Sequence, residues 1–566
     1  MTRKSIIDHY RQNPSVSVLI IGAGINGIGT FRDLALQGVD VLMVDKADFC
    51  SGASAASSRQ AHGGLRYLEH GEFRLVRESL TERNRLLQNA PHAVQYQPTT
   101  IPLYTMFSGI LNAPLKFAGL LKRPSERGYV VVKLGMMLYD WFTRSNRKTP
   151  THRMLNREEA LRKHPKLNPA VIGAATYYDC QMPQAERIGV EITLDAEAES
   201  PNAHALNYCS IVDGAVDTVE LRDEISGETF DVKPKLVINA GGAWIDFVNR
   251  KMNKPTRFIG GTKGSHIVVD HPELARVIDG SCIFFENTDG RLAIFMPFYD
   301  KVIIGATDIR TDEPDQAVCD EDEIAYFLQF ADRVLPGIKV TRDQIVFHFC
   351  GVRPLPASDV EFAGLVSRDH SIRVTEPDSQ IRFPVYSLVG GKWTTFRAFA
   401  EQTTDKALAF LGRARQGSTD DLRIGGGRDY PATAEAQSAW IEGVAGTTGV
   451  PADRVKALFE RYGTRAEQVA RYMSQGSDTP LKGLEAYSLR EIMFLAENEK
   501  VEHIDDLLLR RSVIAMQGLL NGEGLRSVAQ AIGQALGWSA ETTQAEIDRV
   551  FTLLTTRNGV PAARIR

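Results

Sequence analysis

The residues with the clearest chemistry lie near the N-terminus, in the run Gly22-Ala-Gly24-Ile-Asn26-Gly27. The preceding segment, Ser17 to Gly22, is short, apolar and rich in branched residues, as a buried parallel strand is. A helical pattern follows through Leu36, and a second strand, Val39 to Val44, ends at Asp45. Strand, glycine turn, helix, strand and acid stand in the order that a dinucleotide-binding motif requires.

Each part of this motif has a physical task. Gly22 permits the tight turn, Gly24 lets the backbone approach a pyrophosphate, and Gly27 lets the helix and the strand pack closely. The helix N-terminus offers N–H groups and the positive end of its dipole to the phosphates. Asp45, eighteen residues after Gly27, can accept hydrogen bonds from the adenosine ribose.

The sequence beyond Asp45 favours FAD over NAD. NAD dehydrogenases usually continue with several βαβ units, whereas here small residues follow from Cys50 to Ser58. Such side chains suit close backbone approach to a pyrophosphate and a flat ring. A second glycine-rich strand end, Leu236 to Gly242, lies far downstream. The split arrangement predicts an FAD-binding fold with an inserted substrate domain.

Further blocks occur in order along the chain. They are Ser57 to Leu68 (SSRQAHGGLRYL), Glu72 to Glu78, Lys263 to Val269, Gly305 to Asp308, Gly351 to Leu355, Gly390 to Arg397 and Asp505 to Arg511. Together they resemble the FAD-dependent glycerol-3-phosphate dehydrogenases over nearly the whole chain. The resemblance implies hydride transfer from a carbinol carbon to flavin N5, which converts sn-glycerol 3-phosphate to dihydroxyacetone phosphate.

Three segments depart from the family's pattern, and they bear on the substrate. Ala53-Ser54-Ala55 stands where Thr-Ser-Ser is common, Arg59-Gln60-Ala61 where Lys-Leu-Ile is frequent, and Pro183 to Arg187 where the family has Asp-Asp-Ala-Arg. These changes leave the flavin assignment intact. A similar bacterial branch oxidises erythritol phosphate, so that substrate remains an alternative.

A phosphorylated substrate requires cations, and the matching blocks contain Arg66, Arg353 and Lys392. Arginine binds phosphate bidentately, whereas lysine acts as a mobile point charge. The resemblance places all three at the substrate, beside the flavin. Outside such glycine-flanked blocks, an arginine would be interpreted as a solvated or ion-paired surface residue.

His62 and His266 are equal candidates for the base that takes the hydroxyl proton. Either could instead only hydrogen-bond the flavin or a core carbonyl, and water or Lys392 with a depressed pKa could also serve. Asp308, just after the predicted strand Val302 to Gly305, could orient a cation or cap a turn, and we favour the turn.

Two glycines, Gly390 and Gly391, precede a helix that is predicted to start near Thr394. Their N–H groups are expected to meet the pyrimidine end of the flavin, where the reduced ring develops negative charge. The full set of predicted cofactor-binding residues is Gly22, Gly24, Asn26, Gly27, Asp45, Ser54, Ser57, Ser58, Gly63, Gly64, Gly241, Gly390, Gly391 and Thr394. No metal site is expected.

The segment from Thr105 to Lys148 mixes apolar and aromatic residues with eight basic and two acidic ones. This composition suits an interfacial segment on anionic lipid. The resemblance implies quinone as the electron acceptor, so we expect a cytoplasmic protein that is peripheral on the inner face of the cytoplasmic membrane. The alternative is a basic, solvated face of the substrate domain, with oxygen as the acceptor.

The length of 566 residues predicts two or three domains, and the net charge of −4 does not suggest nucleic-acid binding. The dinucleotide motif and the resemblance imply an α/β protein with a Rossmann-like FAD-binding domain. FAD-binding segments are expected at about 15–75, 190–250 and 345–410, and a mixed α+β substrate domain fills the remainder of 15–415. Residues 416–430 are predicted to form a linker, and 431–566 an all-helical cap that mediates dimers or docks on the body. Apolar spacing predicts cap helices within Val455 to Met473, Leu489 to Ala496 and Leu507 to Leu520.

Two other functions compete with the dehydrogenase interpretation. An FAD amine or amino-acid oxidase shares the glycine motif but requires one arginine for a carboxylate and an apolar pocket, so the three cations argue against it. A flavin- or nucleotide-binding regulatory protein without turnover is disfavoured by intact motif blocks on both sides of the flavin.

Overall fold

The computed structural model describes residues 2–65, 72–108, 128–144, 147–286, 292–358 and 369–566. The described strands are β1 Ser15–Ile21, β2 Val41–Val44, β3 Gln60–Ala61, β4 Gln95–Leu103, β5 Arg153–Asn156, β6 Gly173–Gln181, β7 Ala203–Leu206, β8 Cys209–Gly214, β9 Val219–Asp223, β10 Thr229–Asn239, β11 Thr262–Val269, β12 Cys282–Glu286, β13 Leu292–Phe298, β14 Lys301–Gly305, β15 Ile309–Arg310, β16 Ile345–Arg353, β17 Ser371–Thr375, β18 Val385–Val389, β19 Pro480–Leu481 and β20 Leu484–Ser488.

The helices of the same ranges divide between the body and the cap. Those of the body are α1 Arg3–Gln12, α2 Ile25–Leu36, α3 Phe73–Asn89, α4 Tyr129–Thr143, α5 Arg157–Lys163, α6 Ala185–Glu199, α7 Ile245–Lys251, α8 Pro272–Ile278, α9 Glu321–Val334 and α10 Phe396–Leu411. Those of the cap are α11 Ala434–Thr448, α12 Ala452–Tyr462, α13 Ala466–Ser474, α14 Leu489–Asn498, α15 Ile504–Asp506, α16 Gly522–Leu536, α17 Ala540–Thr556 and α18 Ala562–Ile565.

The first sheet carries the dinucleotide motif. Its strands follow the order β17-β18-β10-β1-β2-β7, with β8 and β9 continuing from β10, and β18, β10, β1, β2 and β7 run parallel. Ile21 pairs with both Asn239 and Val44, so the carboxyl ends of three strands meet at one edge. Gly22, Asp45 and the glycines after Asn239 therefore emerge together, as the sequence predicts for a doubly wound sheet.

The second sheet is mainly antiparallel and brings the later motif blocks together. Its order is β15-β11-β14-β13-β12-β4-β6-β3, with β16 paired to β11 and β5 to β6. His266 of β11 pairs with Phe349 and with Gly305, and Gly264 pairs with Gly351. β16, which falls within the third predicted FAD segment, belongs to this sheet.

The cap is helical apart from the short hairpin of β19 and β20. Its apolar core is continuous with side chains of the second sheet, among them Val346, Phe347 and Phe349, so the cap docks on that sheet. The predicted helix from Leu507 to Leu520 is wrong beyond Arg511, where a π-helical turn ends and turns follow. Ser512 is extended there, and its hydroxyl donates to the Leu507 carbonyl (2.7 Å).

The segment 416–430 packs against the body. The N–H groups of Gln416 and Gly417 donate to Gln37 Oε1 at 2.7 and 3.1 Å. Gly425 N–H donates to Asp195 at 2.8 Å, and a Cβ on Gly426 would lie 1.8 Å from the Tyr462 carbonyl oxygen. Gly426 is therefore needed for this segment to pack closely against the cap.

Candidate active site

A cavity of about 1640 Å³ is lined by residues of both sheets and of the cap. The predicted site residues that line it are Gly22, Gly24, Asn26, Asp45, Ser54, Ser57, Ser58, His62, Gly64, Gly241, His266, Arg353, Gly390, Gly391, Lys392 and Thr394. Gly27 and Gly63 do not line it. Arg66 lies outside the described residues.

Glycine packing forms the end of the cavity at β1. Gly22 has φ +109°, and a Cβ there would lie 2.5 Å from the Ala240 carbonyl oxygen. A Cβ on Gly27 would lie 2.0 Å from the Gly22 carbonyl oxygen, so Gly27 allows α2 to pack on the turn rather than contacting a ligand. The first residue of α2, Ile25, donates its N–H to Ser54 Oγ (2.9 Å) and fixes the small-residue loop over the helix N-terminus.

Asp45 joins the glycine turn to the loop after β2. Its carboxylate accepts hydrogen bonds from Ala23 N–H (2.6 Å) and Ala47 N–H (2.9 Å). Burial raises the pKa of Asp45 to about 6, although both N–H groups act in the opposite direction. The carboxylate lies in the cavity wall, where a ribose hydroxyl can reach it.

Gly390 and Gly391, at the other end of the predicted cofactor site, lie beside a buried hydrogen-bond acceptor of Asn26. Asn26 donates from Nδ2 to the Gly390 carbonyl (3.2 Å), while its buried Oδ1 has no hydrogen-bond partner among the described residues. A Cβ on Gly391 would lie 2.5 Å from Asn26 Nδ2. A glycine cradle, a helix N-terminus, an acid at the end of β2 and an unsatisfied acceptor together fit FAD, with Gly22, Gly24 and Asp45 at the dinucleotide and Asn26, Gly390 and Gly391 farther along.

Arg353, at the end of β16, is held by two oxygens of the loop after β14. It donates to the Thr307 carbonyl (3.1 Å) and to the Asp308 carboxylate (3.2 Å). Asp308 therefore orients a cation, which is the alternative that the sequence analysis did not favour. The guanidinium lies over Gly264, where a Cβ would be 2.2 Å from Arg353 Nη2. Arg353 is partly exposed, at 28% of its side chain, and so can reach an anion in the cavity.

A second cation and a histidine lie near the start of α10. Lys392 Nζ donates to Ser79 Oγ of α3 (2.8 Å). The hydroxyl of Thr394 accepts from His62 N–H (3.0 Å) and donates to the His62 carbonyl (3.2 Å). This pair of bonds fixes the backbone at His62, whose residue lines the same cavity as Arg353 and Lys392.

His266 is deeply buried and stays neutral near pH 7. Its Nε2 is 2.8 Å from Ser58 Oγ, and its ring stacks on Phe349 with centroids 4.8 Å apart. Burial, with further contributions from Arg353 and Arg59, lowers the pKa of His266 to about 3. Protonating it at neutral pH would cost about 5 kcal/mol, because one pKa unit corresponds to about 1.4 kcal/mol.

Asp179 is a site residue that the sequence analysis missed. This buried carboxylate lines the cavity and accepts from Gly63 N–H (3.0 Å), from the Tyr139 hydroxyl (2.5 Å) and from Arg83 (3.2 Å). It fixes the turn at Gly63, where a Cβ would lie 2.3 Å from the Tyr139 hydroxyl oxygen. A single aspartate inside a strand carries no motif, so the sequence offers no signal for it.

Helix α4 places apolar side chains both in the cavity wall and on the protein surface. The cavity is lined by Val131, Val132, Leu134, Gly135 and Leu138. Exposed apolar side chains lie on the same helix: Leu134 at 61%, Met137 at 53% and Trp141 at 52%. Arg144 lies over the Trp141 ring, 5.0 Å from its centroid. Among the described residues, no helix is long and apolar enough to cross a membrane.

Two family profiles match the sequence of this chain. The profile of the FAD dependent oxidoreductases matches residues 17–390, and that of the C-terminal domain of alpha-glycerophosphate oxidase matches 417–543. A glycerol-3-phosphate dehydrogenase of Synechocystis sp. is 34% identical over 95% of this chain and 96% of its own. The chain belongs to the FAD-dependent glycerol-3-phosphate dehydrogenase family. The resemblance and the fold class predicted from sequence are therefore confirmed.

One further relative is similar in sequence, and two solved structures are similar in fold. The glycerol-3-phosphate dehydrogenase of Mycobacterium leprae is 31% identical, over 94% of this chain and 86% of its own. Among solved structures, the Bacillus halodurans glycerol-3-phosphate dehydrogenase complexed with FAD has a TM-score of 0.73 at 23% identity, covering 98% of this chain and 97% of its own. The FAD-bound L-alpha-glycerophosphate oxidase of Mycoplasma pneumoniae has a TM-score of 0.52 at 17% identity and covers 72% of this chain and 98% of its own.

Proposed function

We propose that this protein oxidises sn-glycerol 3-phosphate to dihydroxyacetone phosphate, with FAD as the hydride acceptor and quinone as the electron acceptor. The observation that carries the substrate assignment is Arg353, held by Thr307 and Asp308 in the cavity wall that Lys392 also lines. Two cations in one cavity suit a phosphate dianion better than a single carboxylate. This feature disfavours an amine or amino-acid oxidase.

In this proposal Arg353 binds the phosphate as a fork and Lys392 adds a mobile positive charge. Asp308 keeps the guanidinium from rotating, so part of the cost of orienting it is met before the substrate binds. When bound, FAD supplies N5 as the acceptor of the hydride from the carbinol carbon.

His62 is the better candidate for the base. His266 is engaged by Ser58 and has a pKa of about 3, so it is a poor proton acceptor at neutral pH. His62 lies on the cavity wall with its backbone fixed by Thr394. We therefore assign the hydroxyl proton to His62, and to His266 the task of holding Ser58.

The first experiment is anaerobic reduction of the protein-bound flavin. The purified protein is mixed with sn-glycerol 3-phosphate, with erythritol 4-phosphate or with glycine, and the visible flavin absorbance is followed. Fast bleaching by glycerol 3-phosphate supports the proposal. Fast bleaching by the erythritol phosphate alone would keep the proposed hydride transfer but change the assigned substrate to erythritol phosphate. Bleaching by glycine alone would refute the polyol-phosphate assignment.

Helix α4 supports the proposed acceptor and location. Its exposed Leu134, Met137 and Trp141 lie on the helix whose other side chains line the cofactor cavity, so an apolar quinone in a membrane could approach from this side. Basic residues Arg144, Arg147 and Lys148 follow the helix and suit anionic headgroups. We propose peripheral attachment to the inner face of the cytoplasmic membrane; a homodimer formed through the cap also stays a prediction.

Sedimentation with vesicles tests this attachment. The parent should bind vesicles of phosphatidylserine and phosphatidylcholine more strongly at low salt, because salt screens exposed charges. A Met137→Ser, Trp141→Ser double variant should bind less, as should neutralisation of Arg144, Arg147 and Lys148. Phe410→Ser is the matched control, since Phe410 is similarly exposed at 47% but lies on α10. Failure of the parent to bind vesicles would refute membrane attachment and favour oxygen as the acceptor.

A further inference from the structure

The helical cap contains no catalytic motif, yet it contributes side chains to the cofactor cavity. His503, Asp505, Arg510 and Arg549 line it from the cap, and Asp45 and Tyr208 line it from the body. A domain that only mediated dimers would not need to form this wall. The cap therefore contacts the loop after Asp45 at the wall of the cofactor cavity.

That contact is a buried ionic cluster of Asp48, Asp505, Asp506, Arg510 and Arg511, which we call the Asp48 cluster. Arg510 donates from Nε to Asp48 and from Nη2 to Asp505 (2.8 Å) and Asp506 (2.6 Å). Arg511 donates from Nη1 to Asp48 and from Nη2 to the Glu499 carbonyl (2.8 Å). Two arginines of the cap thus bind the Asp48 carboxylate.

The cluster is almost closed to solvent. Asp48, Asp506 and Arg511 are each 0% exposed, and Asp505 and Arg510 are 5% and 7% exposed. The two arginines hold the pKa of Asp48 below its usual range despite burial, which acts the other way. Because removing one partner of a buried ion pair leaves an uncompensated charge, Asp48 in this position requires the docked cap.

Asp48 lies three residues after Asp45, in a loop that is tied to the dinucleotide motif. Asp45 bonds the N–H groups of Ala23 and Ala47, and Cys50 N–H donates to the Ala23 carbonyl (2.9 Å). On its other side, Tyr208 N–H donates to the Ala47 carbonyl (3.0 Å). A shift of Asp48 would therefore disturb Asp45 and the turn at Gly22 to Gly24 through bonded neighbours.

Tyr208 gives the cap a second connection to the same loop. Its hydroxyl donates to Asp506 (2.5 Å), and its ring contacts His503 edge-on with centroids 4.7 Å apart. The neighbouring Asn207 donates from Nδ2 to Asp48 (2.9 Å). The loop that follows β2 and the turn between β7 and β8 are thus both fixed by the cap.

We propose that the cap is a cofactor-retention element: Arg510 and Arg511 hold Asp48, and Asp48 holds the Asp45 loop in the conformation that binds the adenosine end of FAD. FAD affinity and cap docking are then coupled, and by linkage FAD also strengthens docking. The proposal rests on FAD as the cofactor and is independent of the substrate. Asp48 is a positioning residue, since it acts through Asp45 and not on the reacting atoms.

The test compares FAD affinity in full-length variants, by titrating FAD into flavin-depleted protein and following the quenching of flavin fluorescence. Asp48→Asn keeps the size of the side chain but removes the charge, and should raise the Kd for FAD about tenfold, within the roughly 5–150-fold range of coupling between two sites. Arg511→Lys, which keeps the charge, should have a smaller effect. If Asp48→Asn does not fold, Arg510→Lys and Arg511→Lys remain, because each removes a guanidinium that holds Asp48 and should still raise the Kd for FAD above that of the parent.

Glu491→Gln is the matched control. Glu491 is also fully buried and is also bonded to two arginines, Arg454 (2.8 Å) and Arg461 (2.7 Å), but both lie within the cap. It should leave the Kd for FAD unchanged. An equal loss of affinity in Glu491→Gln and Asp48→Asn would overturn the proposal, because general weakening of the cap would then explain both.

Hydrogen exchange gives a readout that is independent of turnover. FAD should slow exchange of the backbone amides of residues 504–511 in the parent and much less in Asp48→Asn. No protection of this segment by FAD in the parent would overturn the coupling. A parent that binds no FAD would refute the cofactor assignment together with this inference, whereas equal FAD affinity in the parent and Asp48→Asn would refute this inference alone.

Discussion

Gly264→Ala probes Arg353 without removing its charge. Gly264 lies within β11 opposite Gly351, and the guanidinium of Arg353 lies directly over its backbone. A Cβ at residue 264 would be 2.2 Å from Arg353 Nη2 and 2.4 Å from Cζ. Because these atoms are the far end of a flexible side chain, the strand can keep its place while the guanidinium moves away.

The size of the effect follows from that displacement. Unbonded heavy atoms prefer separations of about 3.5–4.0 Å, so the guanidinium must move by more than about 1 Å. Its bonds to the Thr307 carbonyl and the Asp308 carboxylate, at 3.1 and 3.2 Å, cannot survive such a shift. A misplacement of about 1 Å costs roughly 100-fold in rate, so kcat/KM for glycerol 3-phosphate should fall about 100-fold, equivalent to about 2.7 kcal/mol.

The assay is steady-state oxidation of glycerol 3-phosphate with an artificial dye acceptor, with bound FAD quantified in each preparation. Gly443→Ala is the control, because a Cβ there would have no described atom within 4 Å other than those of its own turn of helix. Arg353→Ala should lose about as much activity as Gly264→Ala. The double variant should lose little more than either single variant, since both changes remove the same interaction. Parent-like kcat/KM in Gly264→Ala, with FAD bound, would remove Arg353 from substrate binding.

Two further predictions concern the cofactor and the base. Gly24→Val should abolish FAD binding while the far-ultraviolet circular dichroism stays unchanged. A Cβ there would be 3.4 Å from Ser54 Oγ, an ordinary contact, so only the added methyl groups occupy the space of the pyrophosphate. A yellow, stoichiometric holoprotein would contradict this prediction. His62→Asn should remove the acidic limb of the pH profile of kcat/KM, whereas His266→Asn should keep that limb, since a pKa of about 3 leaves His266 neutral throughout the assay range. If His266→Asn alone lost the acidic limb of the pH profile, His266 would be the base and His62 would not.

The dinucleotide end was predictable because its chemistry is local in sequence. The helix predicted through Leu36 runs from Ile25 to Leu36, and Gly38 has the left-handed φ of +64° that ends it. The strands required only small corrections, with β1 beginning at Ser15 and β2 at Val41. Backbone conformation and close packing select glycine directly, so single residue types carry this information.

Partners that are distant in sequence were not predictable. Lys392 bonds Ser79, 313 residues away, and Asp48 bonds Arg511, 463 residues away. A single sequence shows the charge of each residue but not which opposite charge the fold brings to it. The choice at Asp308 failed for this reason, because its partner Arg353 follows 45 residues later on another strand.

The order of the first sheet has a consequence for biosynthesis. β18, which completes the parallel core beside β10, begins at Val385, although its neighbour β10 ends at Asn239. At ribosomal rates of about 5–20 residues per second, β10 waits roughly 7–30 s for this neighbour. During that interval the edge that β18 will cover stays open to wrong pairing. The nascent chain is therefore expected to need chaperone protection until the last strand emerges, and FAD to bind only after synthesis of most of the chain.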